Sequence, residues 1–163
     1  MKEVIEDETH PTHESIGKFL DSFTKVLISI YKNRKGWKRM DRRLREAVFL
    51  AVSAKNRCKF CFMVHSRLAQ KAGMSKDEIL AIVKEDKSFL DERTWSAIEF
   101  ALRIRSSNEK VTSDMREEIS KNFDTREVDT LESAVKFIIF ANKFFNIFFP
   151  PLNLGKIESI TNK

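Results

Sequence analysis

The sequence predicts an all-α fold, a single helical domain of about six to seven helices with a helical hairpin carrying Cys-x-x-Cys, and three observations carry the fold class. Apolar residues recur at helical spacing, beginning with Phe19, Leu20, Phe23, Leu27 and Ile30. Helix-start signals repeat along the chain, two of them full capping boxes, "SKDE" at 75–78 and "DTRE" at 124–127. Only four glycines and three prolines occur in 163 residues, too few for a set of tight hairpins. No alternating strand pattern and no repeat of fixed period interrupts this reading.

Taken in order, residues 1–12 are polar and acidic and read as a flexible N-terminal tail, with the helical domain at 13–163. A first helix is expected from 15 to 31, in a region that Gly36 ends. Asp41 is placed to cap a second helix carrying Leu44, Ala47, Val48, Ala51 and Val52. Asn56 is read as the cap of a third, over 57–72, with Gly73 as its stop. The box at Ser75 opens a fourth. Asp91 begins a fifth, containing Trp95, Ile98, Leu102 and Ile104, and Thr112 or Ser113 begins a sixth. The box at Asp124 opens the long last helix, which Pro150 and Pro151 close.

Composition limits the setting. Hydrophobic residues at 42% and charged residues at 33% describe a soluble globular protein. The start lacks a basic end followed by an apolar run, so no signal peptide is expected. The most apolar stretch, 134–151, is interrupted by Lys136, Asn142, Lys143 and Asn146 and is too short and polar to span a bilayer. A cytoplasmic location is expected, where a structural disulfide is disfavoured and a cysteine pair is more often catalytic or metal-binding. The net charge of +6 concentrates in "KNRKGWKRMDRRLRE" at 32–46. Such a run is ordinarily a solvated face, and otherwise suits an acidic protein, an anionic substrate or nucleic acid. No zinc finger, RNA-recognition motif or phosphate-binding glycine loop accompanies it, which leaves nucleic acid the weakest of these.

The chemistry centres on "CKFC", which holds both cysteines of the chain, Cys58 and Cys61. With His65 they stand at i, i+3 and i+7, along one helix face. A thiol in a first helical turn is acidified by the unpaired N–H groups and the macrodipole, which favours Cys58 as the more reactive thiol. If the second and third helices form a hairpin turning near Asn56, Glu46 falls level with His65 or Ser66. A carboxylate beside an imidazole fixes its tautomer and strengthens it as a base, so Glu46, His65 and the dithiol make a proton relay. Singly, a Glu on an amphipathic helix is ordinarily a surface charge and a His ordinarily structural; the combination points to redox chemistry. Two other readings stand beside it. One is a metal-binding module in which Cys58 and Cys61 join His10 and His13 around zinc, though without finger-like spacing. The other is a non-catalytic helical oligomer whose basic patch binds an acidic partner.

The stretch "RLREAVFLAVSAKNRCKFCFMVHSRLAQKAGMSKDEI" resembles the core of the AhpD-like alkylhydroperoxidases, within the carboxymuconolactone decarboxylase superfamily. Glu46, Val52, Ser53, Asn56, Cys58, Cys61, His65, Ala72 and Gly73 fall in place. The similarity continues through "DERTWSAIEFALRI" and the late "ANKFFNIFF". The resemblance implies an antioxidant peroxidase, peroxiredoxin-like in chemistry, in which Cys61 attacks the peroxide, Cys58 resolves the sulfenic acid to a disulfide, and Glu46 and His65 relay protons. It implies no bound cofactor and no metal. It does imply an external dithiol reductant, either a lipoylated or a thioredoxin-like protein, and a homo-oligomer, trimer or hexamer. Two positions depart from the family pattern. Phe60 stands where some members carry a relay His, and Arg57 where Gly is frequent. The decarboxylase branch typically lacks the cysteine pair. Independently of the resemblance, Phe137, Ile138, Phe140, Phe144, Phe145, Phe148 and Phe149 give the last helix apolar surface on more than one face, which a partner subunit is expected to cover.

Overall fold

Four helices start where Asp41, Ser75, Asp91 and Asp124 put them. The Asp41 carboxylate accepts from the Leu44 N–H at 2.8 Å, Asp91 accepts from Thr94, and the Ser75–Glu78 and Asp124–Glu127 boxes are both closed. Each such cap is worth about 1 kcal/mol. The computed structural model describes residues 15–149, so the expectations for the 1–12 tail, for His10 and His13, and for Pro150 and Pro151 lie outside the described residues. Those residues form α1 (Ser15–Lys32), α2 (Arg34–Arg39), α3 (Arg42–Lys55), α4 (Lys59–Lys71), α5 (Lys76–Lys84), a 3-10 turn (Lys87–Phe89), α6 (Glu92–Ser106), α7 (Ser113–Ile119) and α8 (Thr125–Phe148). There is no strand among them.

The α3 helix is central. Its run from Ala47 to Val52 is apolar without a polar face, and all six residues are buried. One side packs with α6, α7 and α8 through Val48, Val52, Ala101, Ile104, Leu131 and Ile138. The other packs with α4 and α5 through Leu50, Ala51, Phe62, Ile79 and Ile82. A helix covered on both sides can hold a polar group out of water, and Glu46 lies at its first turns.

Gly36 does not end the first helical region. It lies inside α2, a helix the sequence reading lacks, and a tertiary contact explains it. A Cβ at Gly36 would lie 1.9 Å from Thr130 Oγ1, so only glycine lets α2 lie this close to α8. The Trp37 indole N–H then donates to Ser133 Oγ at 3.1 Å. Gly36→Ala should therefore destabilise the chain by roughly 1–3 kcal/mol. Thr130→Ala in the same chain should recover part of that loss. The urea midpoints of the single and double variants check this, and simple additivity would mean that Thr130 is not what excludes the methyl group.

The last helix is covered differently from the expectation. Its aromatic face meets α1 of its own chain, with the Phe19 ring centred 4.9 Å from Phe140, 6.0 Å from Phe144 and 5.6 Å from Phe148. The apolar surface left over lies mainly on α1, at Leu20, Phe23, Leu27, Ile28 and Tyr31, and at the α8 end, at Ile147, Phe148 and Phe149. Among the described residues no helix is long and apolar enough to cross a membrane.

Candidate active site

The turn between α3 and α4 places the thiols. Asn56 is not the cap of α4; it closes α3, its N–H donating to the Val52 carbonyl at 2.9 Å. Arg57 follows at φ 53°, in the left-handed region, and reverses the chain. That conformation costs a non-glycine residue about 1–2 kcal/mol. The Cys58 N–H donates to the Ser53 carbonyl at 3.0 Å, and Cys58 itself caps α4, its Sγ accepting from the Cys61 N–H at 3.4 Å. The helix end thus faces Cys58 from the cap position, two positions earlier than the sequence places it. Cys58 and Cys61 are joined by a disulfide, with Cα atoms 5.3 Å apart. Cys58 is fully buried and Cys61 is 4% exposed.

Across the hairpin, His65 Nδ1 lies 2.7 Å from Glu46 Oε2. The level inferred from equal distances to the turn is where the two residues meet. Glu46 is only 1% exposed, and its second oxygen, Oε1, accepts from Arg45 Nη2 at 3.0 Å and Nε at 3.2 Å. Burial, the largest single influence, pushes the Glu46 pKa up. The hydrogen bond and charge of His65, with those of Arg45, outweigh it, so the carboxyl titrates below its ordinary value of 4.5. An ionised Glu46 can only accept, so His65 donates from Nδ1 and keeps Nε2 as the nitrogen that takes up a proton. The edge of the imidazole is held by Phe49, ring centroids 4.9 Å apart in a T-shaped contact. His65 follows Cys61 by one turn on the same face of α4.

The α8 helix closes the other side of the turn. Ser53 Oγ donates to Asn142 Oδ1 at 3.2 Å, and Asn146 Nδ2 donates to the Asn56 carbonyl at 2.9 Å. The two asparagines, four residues apart, tie α8 to the segment that leads into Cys58. The Phe60 ring lies against Phe145 of α8 in a tilted contact, centroids 4.7 Å apart, so this position of the Cys-x-x-Cys segment packs on α8. Among the described residues no three His, Cys, Asp or Glu side chains converge as a metal site. The His10 and His13 of the zinc reading lie outside the described residues.

Sequence reasoning missed Arg45, which it counted with the surface charge run, and the contacts of Phe49, Asn142 and Asn146. A signal for the asparagines was present: two amides at i, i+4 inside an otherwise apolar stretch share one helix face and need partners there.

The sequence pattern of the carboxymuconolactone decarboxylase family matches residues 21–103, just over half of the chain. The chain belongs to this family. No curated protein matches the chain. The matched span runs from α1 into α6, so this carboxymuconolactone decarboxylase family member carries the Glu46–His65 pair and both thiols within it. The asparagine ties from α8 lie beyond it. The family includes AhpD-like peroxidases as well as decarboxylases, so membership alone does not select the reaction.

Proposed function

We propose that this family member is a thiol-dependent hydroperoxidase, a disulfide oxidoreductase acting through Cys58 and Cys61. The observation that supports it is a vicinal cysteine pair, able to close a disulfide, on the helix whose next turn holds an imidazole bonded to a buried carboxylate. A decarboxylase has no use for the first of these features.

In the reduced chain, His65 Nε2 takes the proton of the Cys61 thiol. The thiolate attacks one peroxide oxygen, the O–O bond breaks, and Cys61 becomes a sulfenic acid. His65 returns its proton to the departing alkoxide, which leaves as an alcohol. Cys58 then attacks the sulfenic sulfur, forming the disulfide and releasing water. An external dithiol reduces the disulfide and leaves as a disulfide itself. Glu46 keeps the His65 Nδ1 proton in place and stabilises the imidazolium, with Arg45 holding the carboxylate. The test is stoichiometric: the dithiothreitol-reduced chain, freed of reductant, should consume one equivalent of cumene hydroperoxide or hydrogen peroxide and lose two thiols. Consumption no faster than by the Cys58→Ser/Cys61→Ser chain would remove the proposal.

The assembly belongs to the same proposal. Leu20, Leu27, Ile28 and Tyr31 are too exposed and too apolar for a lone subunit in water, and a second copy is the occupant that a homo-oligomer supplies. Light scattering at micromolar concentration should give a trimer or hexamer, and Leu27→Lys/Ile28→Lys should lower the mass. A monomeric parent chain would contradict it.

A further inference from the structure

The basic run at 32–45 is divided by the fold. Arg43 pairs with Glu78, Arg45 holds Glu46, and Arg34 lies over the Tyr31 ring, 4.6 Å from its centroid. Lys32, Lys35, Lys38, Arg39 and Arg42 are exposed, and no carboxylate among the described residues pairs with them. Three of these, Lys32, Lys35 and Arg39, line one side of a groove of about 750 Å³ between α2 and the start of α8, and Arg126 lines the other.

The groove also contains carboxylates, but each has a partner within the chain. Asp41 and Asp124 cap α3 and α8, Glu127 pairs with Arg93, and Asp129 pairs with Arg116 at 2.9 Å. Four cations are thus left uncommitted in a concave site whose lining also includes the half-buried Met40. The site stands at the start of α3, whereas Cys58 lies past its end, about 20 Å away at 1.5 Å per residue. It is separate from the thiol chemistry.

We propose that this groove docks an acidic segment of another polypeptide. Four free cations set among carboxylates suit a partner that offers acceptors and donors together. A peptide has both, with acidic side chains for Lys32, Lys35, Arg39 and Arg126 and backbone N–H groups for the rim carboxylates. A phosphate backbone has only acceptors and offers no donor to those carboxylates. An apolar residue of the segment seats beside Met40, the half-buried apolar side chain of the lining.

Fluorescence anisotropy on the full chain tests this with a labelled peptide of alternating Glu and Asp and one central Leu. Binding should weaken as ionic strength rises past about 0.1 M. Lys32→Glu/Lys35→Glu/Arg39→Glu should lose at least about tenfold in affinity. The matched reversal Lys71→Glu/Lys87→Glu/Lys121→Glu, at exposed lysines elsewhere, should lose far less. Equal losses in the two triple variants would reduce the effect to net charge and overturn the proposal. So would a single-stranded DNA oligonucleotide that binds more tightly than the peptide and is lost with the first triple variant. Should that variant fail to fold by circular dichroism, Arg126→Glu alone decides, since an unchanged affinity there also overturns it.

Discussion

A Cys58→Ser chain given one equivalent of peroxide should hold a sulfenic acid on Cys61 that persists, because the thiol that resolves it is gone. Turnover with an external dithiol should fall by roughly a thousandfold or more in this variant and in Cys61→Ser, since the two sulfurs act as a unit. The two variants differ in the first step. In Cys61→Ser, Cys58 should react slowly: it is fully buried, and its Sγ lies at the cap position facing the Cys61 amide. A helix end favours an anion at its cap, here Cys58, but acidity and attack are separable properties. Cys61 has its base one turn ahead at His65 and is the less buried of the pair. Mass spectrometry after a single turnover reads the outcome, and sulfenic acid appearing faster on Cys58 would reverse the two roles.

The second large effect belongs to the relay. His65→Ala and Glu46→Gln should each slow oxidation of the reduced chain by about 10²–10⁴-fold near neutral pH, the usual worth of a placed base. The loss should shrink as pH rises toward about 8.5, where an unassisted thiol ionises by itself, so the rate profile moves upward in pH. Stability moves on the acid side. The folded Glu46 carboxyl lies below its ordinary 4.5, so its contribution is fully present above that value and disappears as pH falls through the lower folded value. Glu46→Gln leaves Arg45 and His65 without a counter-charge and should be less stable than the parent at pH 6. The difference should close in strong acid, where the parent carboxyl is protonated too. Parallel urea titrations at the two pH values measure it, and a constant gap would mean that Glu46 acts through packing alone.

Local signals were readable wherever a short side chain decides a helix start. Asp41, Ser75, Asp91, Thr112 and Asp124 each cap where the sequence places them. The meeting of Glu46 and His65 was readable because a hairpin with a short turn converts sequence distance into height. What could not be read depended on residues far apart in the chain. Gly36 looks like a helix stop until Thr130 lies against it. Asn56 looks like an N-cap because the left-handed turn at Arg57, which moves the start of α4 to Lys59, has no glycine to announce it. Arg45 is indistinguishable from its basic neighbours until Glu46 is known to be buried. That α1 meets part of the α8 aromatic face was not readable either, because it depends on Phe19 and Phe23 lying against Phe140, more than a hundred residues away.

The sulfur cap on α4 also fixes which way the disulfide opens. When an external thiolate attacks one sulfur, the other departs as an anion, and the better-stabilised anion departs faster. Cys58 Sγ already faces the Cys61 N–H at the positive end of α4, so it is the better leaving group. Cys61 is also the less buried residue of the pair. The reductant therefore becomes bonded to Cys61 while Cys58 is released inside. Under the proposed function, the sulfur that meets the peroxide is then also the one that meets the electron donor, and the buried one serves both half-reactions without leaving the helix end.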